Sequence, residues 1–418
     1  MIRLRIARAF LWAVTLVTFM VPHALFAEGM PMTGTPVPEL ASFDRIVRDL
    51  MEKWQVPGGS LAVVKDGRLI LARGYGWADR EERQPVEPGS LFRIASLSKS
   101  LTAAAILKLV EDGKLRLDDK AFPLLGLTPP NKKIDKRIDS ITILNLLQHT
   151  GGWDRDLSFD PMFRSRETAR TMGVPAPANA QAILRYMLEK PLQFAPGTRY
   201  AYSNFGYSVL GRIIEKTTGE RYEEYVQTHI LRPAGITGMR LGRTLLKDRA
   251  PGEVRYYGFP GIGLAPSVFP NGPAELPWPY GGWYIEAMDA HGGWIASAID
   301  MARFVRAVDG WGHSPQILRS QSIQKMIAHP APPVWKAGDA TWYGMGWQVR
   351  PSHGDANWWH LGSLDGTTTL MVRAYNGLSW VAFFNTRPKD SDGFSGELDR
   401  AMWQAVEEVK RWPGHDLF

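Results

Sequence analysis

The 418-residue chain contains no cysteine. That excludes disulfides, thiolate zinc sites and a lipid-bearing cysteine near the N-terminus. It also lacks an apolar run of bilayer length: the stretch "AFLWAVTLVTFMV" at 9–21 falls short of the about 20 residues a spanning helix needs. Charge of one sign is not in excess. Lys and Arg total 49 against 42 Asp and Glu, and basic clusters such as "NKKIDKRID" are interrupted by acids. A nucleic-acid surface is therefore excluded. No Gly-x-Ser-x-Gly elbow occurs, so an α/β-hydrolase lacks its nucleophile. Without His-Glu-x-x-His or a helical histidine pair, His291 and His353 do not suggest a metal. There is no internal repeat; GGW recurs at 151, 281 and 292 with irregular spacing.

What is present begins with a basic, then apolar, N-terminus. Arg3, Arg5 and Arg8 precede the apolar run, and "PHALFA" ends at a small residue, Ala27. This layout predicts a cleaved export signal over 1–27, a linker over 28–38, and a periplasmic or secreted mature protein. Leu25, at the −3 position, fits cleavage less well than alanine, which leaves an uncleaved membrane anchor as the alternative. Removal of the segment would lower the formal charge of +7 by its three arginines, to +4.

Apolar spacing predicts a helix over 39–54, followed by two β-rich runs flanking Asp66-Gly67, a type I′ hairpin dipeptide. At the far end "YGMGWQV", "NWWHLG", "GTTTLMVRAY" and "SWVAFFNT" read as successive strands, and "GELDRAMWQAVEEVKRW" as a closing helix. The expectation is an α/β fold of the α+β type. One antiparallel sheet would come from about 39–95 and 331–412, with a mostly helical insertion over about 96–330 and a tail at 413–418. Residues 251–293, with 7 Pro and 9 Gly, cannot hold a long helix or strand.

The stretch "FRIASLSKSLTAAAILKLVEDGKL" places a lysine in a greasy helix. Stepping 100° per residue puts Ser96, Lys99, Ala103, Ile106, Leu107 and Val110 on one burying face. Burial lowers a lysine pKa, and a neutral lysine one turn from a serine can activate it as a nucleophile. A second Ser-x-x-Lys, Ser322 and Lys325, lies off its apolar stripe and reads as a solvated face. "SAID" before "MARFV" reads as a helix cap, making Asp300 structural. His149, before Gly-Gly, reads as a local structural residue rather than a triad base. Trp153, Trp283, Trp294, Trp347, Trp358 and Trp359 read mostly as core, with a few available to line a substrate pocket.

With "FRIASLSK", "LLQHTGG", "PGTRYAYSNFGYSVLG", "GWIASAIDMARF" and "HLGSLDGTTTL" in order, the chain resembles the serine β-lactamase-like superfamily over about residues 40–412. Within it, the likeness is to class C β-lactamase relatives: family VIII-type carboxylesterases, D-amino-acid peptidases and penicillin-binding proteins. The resemblance implies Ser96 as acylated nucleophile and Lys99 as its proton partner. Tyr202 would be a second acid/base group, a phenol with a pKa lowered by Lys99. Asn204 would orient lysine and substrate; Tyr200 lacks an amide two residues on. His360-Leu361-Gly362 would edge the cleft, and the N–H groups of Ser96 and Ser363 would form an oxyanion hole.

His360 departs from the pattern, since penicillin-binding relatives carry Lys-Thr-Gly there. Histidine is mostly neutral near pH 7, which counts against strong β-lactamase activity and favours esters or small amides. The leading expectation is an exported serine hydrolase working through an acyl-enzyme, with no cofactor and no metal. Its partner would be a small ester, amide or peptide, with oligomeric state left open. The alternatives are a D-amino-acid-specific peptidase or penicillin-binding protein acting on peptidoglycan peptides, and a non-enzymatic binding module on the same fold.

Overall fold

Asp66 and Gly67 set the first register. Both carry positive φ, +50° and +74°, as a two-residue type I′ turn requires. The computed structural model describes residues 29–127, 135–313, 315–336 and 338–418; the expected export signal lies outside them. Before the helical middle come β1 (Met32–Thr33), α1 (Ala41–Lys53), β2 (Gly58–Lys65), β3 (Arg68–Asp79), β4 (Gln84–Pro85) and β5 (Phe92–Arg93). The middle holds α2 (Ser98–Glu111), α3 (Ala121–Leu125), α4 (Ile143–Leu147), α5 (Ser165–Met172), α6 (Ala180–Met187), α7 (Asn204–Thr218) and α8 (Tyr222–Val226). It continues with β6 (Arg240–Leu241), β7 (Leu264–Pro266), β8 (Glu275–Pro277), α9 (Asp289–Gly292), β9 (Trp294–Ala296), α10 (Ala298–Val308) and α11 (Ser320–Ile327). The chain closes with β10 (Trp342–Tyr343), β11 (Gln348–Ser352), β12 (Asp355–Leu364), β13 (Thr367–Arg373), β14 (Leu378–Phe384) and α12 (Ser391–Glu407).

The main sheet runs β1-β3-β2-β14-β13-β12-β11-β10, with β4 added to β3. Both ends of the chain therefore build one sheet, with β14 paired antiparallel to β2 from Leu378↔Lys65 to Phe384↔Gly59. The first and last helices meet, with Trp54 against Phe394 at 5.5 Å and Lys53 paired to Glu397 at 2.7 Å. Of two short sheets, β7-β8 lies within the insertion, and β5-β9-β6 joins two strands of the insertion to β5 just before it. The Pro/Gly-rich stretch 251–293 holds only short pieces, as expected.

Three expectations need correction. The 28–38 stretch is more than a linker, because β1 pairs with β3 through Met32↔Tyr75; two residues are too few to show strand alternation. The terminal stretch 413–418 is not a free tail: Leu417 N–H donates to Leu69 O at 2.9 Å. Finally, α2 has no single burying face. Ser98 through Leu107 are all buried, as is Leu109, so the helix is surrounded, the case in which a sequence is apolar all round. Lys99 is buried because the whole helix is.

The lead-in to this helix is stapled by another buried cation. Arg93, 1% exposed, donates to Pro279 O at 2.5 Å and to Arg243 O at 2.6 Å. Its guanidinium lies 4.4 Å from the Tyr256 ring and its Nε 3.8 Å from Glu253. One side chain thus ties the Pro/Gly-rich segment to the strand that precedes Ser96. Breaking a buried ion pair from one side costs about 3–5 kcal/mol. Arg93→Leu is expected to lose about that much stability in urea unfolding; a loss below about 1 kcal/mol would show that the staple is dispensable.

Candidate active site

The chain turns sharply before α2. Ala95 adopts φ +47°, which costs a non-glycine residue roughly 1–2 kcal/mol. It is held there by Ile94 N–H to Trp294 O at 3.0 Å and Leu97 N–H to Ile94 O at 3.2 Å. Ala95 packs in a small cluster with Trp283, Ile285, Met288 and Leu364. The turn leaves Ser96 half-buried and lining a cleft of about 310 Å³.

Below Ser96 lies Lys99, 0% exposed. Its Nζ is 3.1 Å from Ser96 Oγ, 2.7 Å from Asn204 Oδ1 and 2.9 Å from His291 O. The last two oxygens can only accept, so they take two N–H groups. Burial drives the Lys99 pKa well below 10.5, with Asp160 opposing and Arg155 reinforcing the shift. In the neutral amine the third direction, toward Ser96, carries the lone pair. In that form the amine lone pair faces Ser96 Oγ.

Asn204 cannot flip. Its Nδ2 donates to Asp160 Oδ2 at 2.6 Å, so its Oδ1 must face Lys99. The local sequence explains the placement: Ser203 caps α7, accepting from Gly206 N–H at 3.1 Å, the usual role of serine at a helix start. Tyr202 and Asn204 therefore flank a fixed helix start. The chain also holds α9, which supplies the His291 carbonyl, through Arg212 to Asp289 at 2.6 Å and Thr102 Oγ1 to Ala290 O at 2.6 Å.

Tyr202 joins the group, with its hydroxyl interacting with the Ser96 side chain. Lys99 Nζ lies 4.8 Å and the Arg155 guanidinium carbon 5.1 Å from the Tyr202 ring. The expected lowering of its pKa is wrong in direction. Burial pushes the phenol well above 10, and the Ser96 hydrogen bond only partly opposes this. Tyr202 thus keeps its proton near neutral pH.

His360 is placed differently from a substrate-binding cation. It is 3% exposed, and burial lowers its pKa to about 3. Nδ1 lies 2.7 Å from Leu361 O, which can only accept, so Nδ1 carries the proton. Nε2, 3.0 Å from Tyr343 OH, accepts. Both nitrogens are used within the protein, so His360 orients its strand rather than reaching substrate.

Gly362 is needed for close approach. A Cβ there would collide with Thr369 Oγ1 and lie 2.5 Å from Ile94 O. Its absence lets β12 press against the turn that bears Ser96, and the next residue, Ser363, lines the same cleft as Ser96. Arg155 and Arg387 also line it; neither was anticipated, because isolated arginines in loops carry no pattern. Asp160 and the His291 carbonyl were missed for the same reason.

The remaining candidates fall outside the chemistry. His149, φ +57°, accepts Ser203 N–H on Nδ1 at 3.1 Å and packs against the Tyr202 ring at 4.3 Å. Tyr200 packs on Trp335 at 5.4 Å. Lys325 is exposed, and His353 stacks on Tyr375 at 4.3 Å. Ser297 caps α10 through Asp300 N–H at 3.0 Å, leaving Asp300 structural. Of the six tryptophans, all but Trp359 are buried core. Among the described residues no cluster of His, Asp and Glu could hold a metal ion.

An antiparallel sheet with a helical insertion defines a fold class, and the comparisons agree with it. The family model described as Beta-lactamase matches residues 43–401; the chain belongs to that family. It is 27% identical to "Penicillin-binding protein 4*" of Bacillus subtilis (strain 168), over 86% of this chain and 73% of that protein. It is 29% identical to "Protein flp" of Staphylococcus aureus (strain COL) over 49% of this chain, a match that spans only 39% of flp. The D-amino acid amidase of Ochrobactrum anthropi SV3 shares the fold, with TM-score 0.68 and 23% identity over 90% of this chain and all of that one (100%).

Two variants test this construction. Gly362→Ala is expected to cost about 1–3 kcal/mol, as overpacking does, and to slow labelling of Ser96 by a small fluorophosphonate. Asp160→Ala frees the Asn204 amide and should slow that labelling about tenfold, in line with loss of a hydrogen bond to a charged group. Unchanged labelling in Asp160→Ala would mean that Asn204 is held by other contacts.

Proposed function

We propose that the protein is a serine hydrolase that cleaves an ester or amide through an acyl-enzyme on Ser96. The observation that carries this reading is the aim of the Lys99 amine, with two N–H groups taken by fixed oxygens and the third direction on Ser96 Oγ 3.1 Å away. Lys99 takes the Ser96 proton as Oγ attacks the carbonyl carbon. The N–H groups of Ser96 and Ser363 receive the developing oxyanion. Tyr202, a protonated phenol, gives its proton to the departing alcohol or amine, and the Lys99 ammonium returns one to it. Water then attacks the acyl carbon by the reverse relay and releases the acid with Ser96 restored. Asn204 and His360 act by position, the first on the lysine and the second on β12.

The neutral His360 favours esters and small amides over substrates anchored by a carboxylate at that strand. A second reading, a D-peptide-directed peptidase or penicillin-binding protein, draws on Arg155 and Arg387, which put guanidinium groups at the cleft. The basic-then-apolar N-terminus supports export, which a mature mass beginning at Glu28 would establish.

The decisive experiment is intact-mass and peptide mapping after treatment with a fluorophosphonate. One adduct on the Ser96 peptide, absent from Ser96→Ala, is expected; an adduct elsewhere sinks the assignment. The labelling rate should rise with pH as Lys99 loses its proton and level off well below pH 10.5, the ordinary lysine value. Lys99→Met should remove that rise and slow labelling by about 10²–10⁴, the range for general base catalysis. His360→Lys should improve turnover of carboxylate-bearing substrates relative to neutral esters, since it restores a cation on the strand.

A further inference from the structure

Leu361 is a large apolar side chain left 38% exposed on the strand that edges the cleft. Side chains alternate along a strand, so Asn357, Trp359, Leu361 and Ser363 share one face of β12. Leu361 and Ser363 line the cleft beside Ser96. Leu361, Trp359 and Asn357 line a second cavity, of about 320 Å³. The opposite wall is α12, where Asp392, Gly396, Asp399 and Trp403, at i, i+4, i+7 and i+11, form one stripe. Asp392 and Ser395 border both spaces. The two cavities thus make one trough with Leu361 at its saddle. At roughly 3.3 Å per residue, Trp359 stands about 13 Å along the strand from Ser363.

The far end of this trough is built for a particular chemistry. Trp359 and Trp403 supply aromatic walls. Arg350 lies with Cζ 5.5 Å from the Trp359 ring. Asp399 is half-buried. Burial raises its carboxyl pKa, opposed only by through-space attraction to Arg350 and Arg400. Among the described residues no hydrogen-bond donor or ion-pair partner reaches the Asp399 carboxylate. A half-buried carboxylate without a donor is costly unless something supplies one. An ammonium group would do so, and aromatic faces attract cations. With Asp392 and Asp399 against Arg350, the charged side chains of the lining sum to negative.

We propose that this cavity binds an aromatic or alkyl group carrying a primary amine, with the apolar part between Trp359 and Trp403 and the ammonium on Asp399. Through the trough it receives the distal arm of a substrate whose carbonyl lies at Ser96; that second half rests on the serine-hydrolase reading above. The site is small, near the lower end of ligand pockets, and suits a single ring or a short chain.

Calorimetry on the full chain with 4-phenylbutylamine and its neutral counterpart 4-phenylbutanol tests the cavity. The amine is expected to bind about tenfold more tightly than the alcohol, the effect of one charge-assisted contact. Asp399→Asn should erase that difference, and Gly396→Leu, which fills the trough, should weaken both ligands at least tenfold. Thermal midpoints near wild type establish that the variants are folded, and Ser96→Ala should bind the amine as wild type does. Equal affinity for amine and alcohol, or a preference that survives Asp399→Asn, overturns the site. For the substrate arm, a 9-aminononanoyl ester should show a lower KM than the nonanoyl ester in wild type but not in Asp399→Asn. Amine binding without that KM difference overturns the arm and leaves the cavity. Ser96 labelling without amine binding overturns the cavity and leaves the hydrolase.

Discussion

A lysine amine sealed from water must find every one of its partners inside the protein, and the site is arranged around that demand. Among the described residues Lys99 hydrogen-bonds to Ser96, Asn204 and the His291 carbonyl, which come from three distant parts of the chain. Each has its own anchor. Ser96 is fixed by the strained turn at Ala95, Asn204 by Asp160 and the Ser203 cap, and His291 by a short helix held through Arg212. An unsatisfied polar group in this interior costs about 1–3 kcal/mol, so these anchors and the lysine enforce each other. Misplacing one partner would leave the amine without an acceptor.

The same desolvation decides the protonation states around it. Lys99, His149, His291 and His360 are all pushed toward neutrality, and Tyr202 toward its protonated form. Proton transfer within this group therefore moves charge only when the reaction does. The permanent cations, Arg155 and Arg387, stand at the cleft wall instead. In the proposed reaction the chemistry would sit in the dry interior and charge recognition at the rim. Substrate preference can then change by altering the rim without disturbing the amine.

The sheet was legible because its signals are local. Asp66-Gly67 dictates a turn, and the strands of the C-terminal third alternate or run apolar over lengths that strands prefer. Ser96, Lys99, Tyr202 and Asn204 were legible through motifs whose order matched a known pattern. Helical periodicity misled at α2, because a helix buried on all sides has no stripe to read. The direction of the Tyr202 shift was misjudged because burial of the phenol sets it, which sequence spacing does not reveal. Arg155, Asp160 and the His291 carbonyl come from loops and backbone brought together only by the fold.

His360 shows how one substitution redistributes function. A lysine at this position has a longer, flexible stem that can carry a charged amine toward the cleft, which the buried imidazole cannot do. A histidine with its proton on Nδ1 settles between Leu361 O and the Tyr343 hydroxyl and adds no charge. The strand keeps its alignment with Ser96 through Gly362, but recognition of a substrate can no longer begin at that point. In the proposed reaction it would come from the ion-paired arginines at the cleft, Arg155 and Arg387, and from the trough leading past Leu361 to Asp399. On the proposed reading, catalytic geometry and substrate choice are separable, because the histidine holds the strand without offering a substrate a charge.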